Sequence, residues 1–147
     1  SYLYSLSKKR LSMDKFTEQK RKQIMASIKS RNTSPERLVR DCLRRLGIRY
    51  RGNVKKLHGT PDFVLYGKKK AIFVNGCFWH GHQACRRAAR PETNRSFWDK
   101  KIDGNKARDR RNIRLLKNDG WSVLVIWQCQ IKNESQLMKK LLKFAER

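Results

Sequence analysis

Acid is what this chain is short of. Among 147 residues, 12 Asp and Glu stand against 37 Lys and Arg, giving a formal net charge of +25 and a sequence pI near 10.7. Self-repulsion on that scale opposes compaction unless a polyanion neutralises it, and nucleic acid is the commonest such partner. Long apolar runs are also missing. None approaches the roughly 18 residues of a membrane span, so no membrane partner is expected. The stretch Ser1 to Arg10 lacks the continuous apolar core and small-residue cleavage site of a secretory signal. No repeat or low-complexity linker occurs, which excludes a collagen-like chain. Four Cys beside three His, in a chain expected to be non-secreted, favour metal ligation over disulfides. What is present suffices for one core: 38% apolar residues, with four Trp, six Phe and four Tyr, exclude a purely disordered basic tail.

Residues 1–16 read as a basic N-terminal arm suited to phosphate contact, ahead of a single domain over 17–147. From Thr17 a short helix is expected, with Ile24, Met25 and Ile28 on one side. Thr33-Ser34-Pro35-Glu36 fits a capping box, followed by an apolar stripe of Leu38, Cys42, Leu43 and Leu46 that Gly47 ends. Three strands are expected, Ile48 to Arg51, Phe63 to Tyr66 and Ala71 to Asn75, the last two a hairpin turned at Tyr66-Gly67-Lys68. A helical pattern runs from about Asn94 to Asn118 through Gly104, and Gly120 closes it. Ser122 to Trp127 reads as a buried strand. Asn133 can cap a last helix with Leu137, Met138, Leu141 and Leu142 inward. The fold class is α/β, a mixed central sheet flanked by helices.

Cys77-x4-His82-x2-Cys85, with Cys129 far downstream, offers three thiolates and an imidazole, the full donor set of a structural zinc. His80 could replace His82 through a C-x2-H spacing, so spacing leaves both open. Cys42, on a helix stripe, reads as a packed thiol.

The few acids are informative. Asp62 follows Pro61 at the start of an apolar strand, either as a turn residue or as a strand-end carboxylate able to hold Mg²⁺. Asp109 falls within about 40° of Ile102, Ile113 and Leu116 on its helix, and a carboxylate there needs a partner. His80 would make a proton-transfer pair; Arg108, Arg110 or Arg111 would make a plain salt bridge. Glu36 reads as half of the capping box. Phe78-Trp79 lies in the metal loop and Phe97-Trp98 opens the long helix. Aromatics on a rigid loop can wedge between base steps, core packing being the alternative and the preferred one for Phe97.

Pro61-Asp62-Phe63-Val64, Ile72 to His82, Thr93 to Trp98, Asn105 to Arg110 and Gly120 to Cys129 together resemble the very short patch repair (Vsr) DNA mismatch endonucleases over roughly residues 18–132. That resemblance implies a restriction-endonuclease-like fold with a structural zinc loop. It also implies nicking of double-stranded DNA 5′ to the T of a T·G mismatch, by a monomer in the prokaryotic cytoplasm at the nucleoid. Carried over residue by residue, it makes Asp62 a Mg²⁺ ligand, with the Val74 backbone carbonyl as a second. His80 and Asp109 become the pair acting on the proton, and Glu36 an acid near the metal. Cys77, His82, Cys85 and Cys129 become the zinc ligands, and Phe78, Trp79 and Trp98 the DNA-inserted wedge. Val74 and Asn75 stand where the best-known member has Thr and His, and Ala84 is an extra residue before Cys85.

Two other functions compete: a restriction-like or defence nuclease without mismatch specificity, and a zinc-stapled, non-catalytic DNA-binding module. Asp62, His80 and Asp109 argue against the module, since a pure binder gains nothing from acids beside phosphate.

Overall fold

The structure, a computed structural model, describes residues 34–147; the N-terminal arm, the helix expected from Thr17 and Thr33 of the capping box lie outside them. Helix α1 (Ser34–Arg45) leads into strand β1 (Tyr50–Gly52), β2 (Phe63–Leu65) and β3 (Lys70–Asn75). A short 3-10 turn (Arg86–Ala88), the long helix α2 (Arg95–Asn118), β4 (Ser122–Trp127), a second 3-10 turn (Gln128–Gln130) and α3 (Glu134–Glu146) complete the chain. The sheet order is β1-β2-β3-β4. β1, β2 and β3 pair antiparallel, as the expected hairpin requires, and β4 joins β3 parallel through the α2 crossover.

Alternation sorts the sheet's two faces. Phe63, Leu65, Ile72, Val74 and Ile126 are buried against Val39, Cys42 and Leu43 of α1 and Leu137, Leu141, Phe144 and Ala145 of α3. α2 packs against β4 with Trp98, Ile102 and Leu116 buried. Two adjacent-leucine expectations are corrected. Leu38 is 45% exposed while Val39 is fully buried, and Leu142 is 40% exposed beside buried Leu141. Leu38 lies about 100° round its helix from Val39, and Leu142 about 100° from Leu141, which turns each of them away from the buried face.

The first strand starts later than the apolar pattern suggests. Gly47, at φ +71°, closes α1 by letting the Ile48 N–H donate to the Leu43 carbonyl at 2.9 Å and its own to Arg44 at 3.0 Å. Ile48 thereby belongs to the helix cap, not the ladder. β4 is also less buried than its composition implies: only Ile126 is fully inside, because no strand among the described residues pairs beyond it. At the opposite end of α3 from its Asn133 cap, Lys70 Nζ donates to the carbonyls of Phe144 (2.6 Å), Ala145 (3.2 Å) and Arg147. Lys70 is only 5% exposed, and burial pushes its pKa down. It fastens the start of β3 to the negative end of α3.

Candidate active site

Three groups of side chains converge where β3 ends. The first is carboxylate. Asp62 occupies the bend before β2; its backbone carbonyl accepts from Asn53 N–H at 3.1 Å, and its Oδ2 from Val74 N–H at 2.7 Å. Glu36, in the first turn of α1, lies close enough to the Asp62 carboxyl for its charge to act on it. Burial first, and the Glu36 charge second, push the Asp62 pKa up to about 8. Two acids thus crowd one another in a chain of net charge +25, where guanidinium partners are abundant. Oxygen donors arranged so are the chemistry of a hard divalent cation, which would relieve the repulsion.

The second group is the loop after β3. His80 N–H bonds to the Gly76 carbonyl at 3.1 Å and His82 N–H to Cys77 at 2.9 Å, so the loop coils back on itself. α2 then grips it. Asn105 Nδ2 donates to the Trp79 carbonyl at 2.8 Å, and Asp109 Oδ2 lies 2.6 Å from His80 Nδ1. Of the partners open to Asp109 in the sequence, the structure brings His80 to it. With Nδ1 engaged, Nε2 is the ring nitrogen available to exchange a proton. The His80 and Asp109 side chains are 32% and 29% exposed, shielded yet reachable. Gly81, at φ +59°, lies so close to α2 that a Cβ would come within 2.6 Å of Lys106 Cδ and 2.9 Å of Ile102 Cγ2.

The third group is a four-donor cluster. Donor atoms of Cys77, His82, Cys85 and Cys129 all lie within 4.8 Å of one another. A tetrahedron with Zn–S bonds of about 2.3 Å has edges of about 3.8 Å, so this set fits a metal ion with little adjustment. His82 Nδ1 sits 3.6 Å from Cys129 Sγ, and its ring stacks on Trp127 at 4.1 Å with 9° between planes. Geometry therefore chooses His82 over His80. Cys129 N–H points at Cys77 Sγ at 3.4 Å. Burial pushes the Cys77 thiol up to about 12. At Cys85 burial acts the same way, but the Arg87 N–H, the Cys77 and Cys129 thiols and the Ala88 N–H together outweigh it and the pKa falls. The extra Ala84 is accommodated at φ +54°, outside the donor set. Cys42 stays in the core, away from the cluster.

The aromatics form one edge-to-face stack. Phe78 meets Trp79 at 5.0 Å and Trp98 at 5.4 Å, and Phe97 meets Trp98 at 5.0 Å. Phe78 and Trp98 are buried; Trp79 and Phe97 are half-exposed. The core position expected of Phe97 is thus taken by Trp98, with Phe97 half-buried against it. Asn105 went unrecognised in the sequence, although it lies one helical turn before Asp109 on the same side of α2. Arg90, which bridges Asp99 (2.7 Å) and Asp103 (2.8 Å) and ties the loop's exit to α2, carried no sequence signal.

Comparison with known proteins bears on the same regions. Residues 13–87 match the family model described as DNA mismatch endonuclease Vsr. The chain is 40% identical over 128 residues to the type II nicking enzyme V.XorIIP of Xanthomonas oryzae pv. oryzae, covering 87% of this chain and 93% of that one. It is 37% identical over 129 residues to the DNA mismatch endonuclease Vsr of Escherichia coli, covering 88% and 80%. Among solved structures it is similar to the catalytic domain of the homing endonuclease I-Bth0305I, with a TM-score of 0.53 and 27% identity over 77% of this chain and 94% of that one.

Proposed function

The chain belongs to the Vsr DNA mismatch endonuclease family and is a nicking DNA endonuclease; we propose that it cuts one strand of duplex DNA 5′ to the T of a T·G mismatch, with Mg²⁺ at Asp62 and zinc at the four-donor cluster. The observation that carries this is the Glu36–Asp62 carboxyl pair beside the Val74 backbone. A divalent cation bound there would neutralise charge on the scissile phosphate. Asp62 and the Val74 carbonyl would hold it, with Glu36 close by. Val74 serves in the Thr position because only its backbone is required.

His80 and Asp109 handle the proton. Asp109 fixes the tautomer and orientation of the ring through Nδ1, leaving Nε2 to exchange a proton with the attacking water or the departing oxygen. Zinc is structural here, because three thiolates and an imidazole leave no open position for chemistry. Trp79 is the half-exposed tip of the wedge set beside the mismatch. Phe78 and Trp98 stand behind it and join it when the stack opens onto the DNA. One chain carries every residue of the site, so it acts as a monomer on DNA. The reading places it in the bacterial cytoplasm at the nucleoid; no helix among the described residues is long and apolar enough to cross a membrane.

The test is a nicking assay on otherwise identical matched and T·G duplexes, with Mg²⁺ and then with EDTA. Cutting confined to the mismatched duplex and abolished by EDTA is expected. Equal cutting of both duplexes would leave the restriction-like reading in its place.

A further inference from the structure

The outer strands carry an exposed feature that no part of the site above uses. Tyr50 packs its ring edge-on to Phe63 at 5.1 Å, inside the core, so the flanking Arg49 and Arg51 project from the other sheet face. Tyr66, just past β2, meets them there. Its ring lies 5.8 Å from the Arg49 guanidinium carbon and 5.5 Å from that of Arg51, whose Nε also donates to the Tyr66 hydroxyl at 3.4 Å. Tyr66 is 52% exposed, and both arginines are exposed as well. β1 pairs with no further strand among the described residues, so nothing in them covers this shelf.

An exposed tyrosine by itself signifies little. Two guanidiniums converging on one ring are different. Stacking restrains both long side chains while leaving their terminal amino groups for phosphate, the groups through which a restrained Arg forms bidentate bonds. The direction of the strand adds to the argument. In the β1–β2 register Arg51 stands opposite Val64, two residues from Asp62, and Tyr66 lies four residues from it, so the arginine pair sits roughly 7–13 Å along the sheet from Asp62. We infer that Arg49 and Arg51, held by Tyr66, dock the phosphate backbone of the duplex a few nucleotides from the scissile phosphate. This rests on the endonuclease reading and adds to it a flank contact remote from the mismatch.

Binding of the full chain to a 20-base-pair T·G duplex in EDTA, with single methylphosphonates placed at each of six positions either side of the nick, tests the inference. The wild type should show a neutral-phosphate position a few nucleotides from the nick that weakens binding several-fold. In Arg49→Ala/Arg51→Ala that position should become silent, affinity should fall roughly tenfold or more, and the slope of log K against log salt should become shallower by about 2. Tyr66→Ala should show a smaller loss of the same pattern, and Tyr66→Phe, which keeps the stacking ring, should restore it. Lys139→Ala/Lys143→Ala removes equal charge from the exposed side of α3 and should leave the phosphate profile intact. An arginine variant no weaker than this lysine control, with the wild-type profile, overturns the inference while leaving the endonuclease standing. A wild type that fails to bind the duplex would overturn both.

Discussion

Asn105 and Asp109, one turn apart on α2, hold consecutive residues of the loop after β3, the carbonyl of Trp79 at 2.8 Å and the ring of His80 at 2.6 Å. The helix that closes the parallel crossover therefore also sets the attitude of the imidazole. Two donors of the four-residue cluster, Cys77 and His82, bound the same loop, so His80 is held from both sides.

If His80 and Asp109 act as one unit, His80→Ala and Asp109→Ala should each lower the nicking rate by at least about a hundredfold. The double variant should be little slower than the slower single one, because groups that act together are non-additive. Single-turnover rates of the three variants decide it. Rate losses that multiply would mean the contact is structural only.

Asp62→Asn should fold, bind DNA and lose nicking by several orders of magnitude with Mg²⁺. Its stability has a pH signature. In the metal-free protein Asp62 keeps its proton up to about 8, whereas an unfolded Asp releases it near 4, so wild-type stability falls as pH rises across that window. Asp62→Asn has no such proton to lose. Its melting temperature should gain on wild type between pH 5 and pH 8.5, and Mg²⁺ should shrink the gap by stabilising only the wild type. A gap independent of pH would contradict a crowded carboxyl pair.

Cys129→Ala removes the donor that follows β4, and metal and fold should be lost together. Zinc content and thermal melting of the purified variant provide the readout. Near-stoichiometric zinc with native stability would place the metal elsewhere.

Gly81→Ala tests the loop's seat on α2. The added Cβ needs φ +59° and space already held by Lys106 and Ile102, so about 1–3 kcal/mol of stability should be lost. Nicking should fall with it, since His80 is the preceding residue. Urea titration of the variant measures the loss; an unchanged midpoint would show that the loop yields freely.

The site was more legible in the sequence than the core facing. Cys77, His82 and Cys85 announce themselves because three donors of the cluster stand close together in sequence, and Asp109 because a carboxylate on an apolar stripe violates its own helix. Glu36 was hidden behind a local explanation, the capping box, when its decisive neighbour, Asp62, lies on another element. Lys70 was invisible for the same reason: a lysine opening a strand reads as solvated until the carbonyls at the end of α3 arrive around it. Leu38 against Val39 and Phe97 against Trp98 show a different limit. Periodicity identifies a stripe, but between adjacent apolar residues only the shape of the opposing surface decides which one enters.

The parallel pairing of β3 and β4 has a consequence for how the chain finds its fold. Cys77 follows β3 directly and Cys129 follows β4, with Asn75 opposite Trp127 in the register between them. Bringing together strands separated by the whole of α2 incurs loop-closure entropy that nothing local offsets. The four donors can meet only when this closure is correct. Sliding β4 by two residues would carry Cys129 about 7 Å along the sheet, beyond reach of an ion held by the other three. A metal held by that cluster would therefore proofread strand register, favouring the aligned sheet over the slipped one.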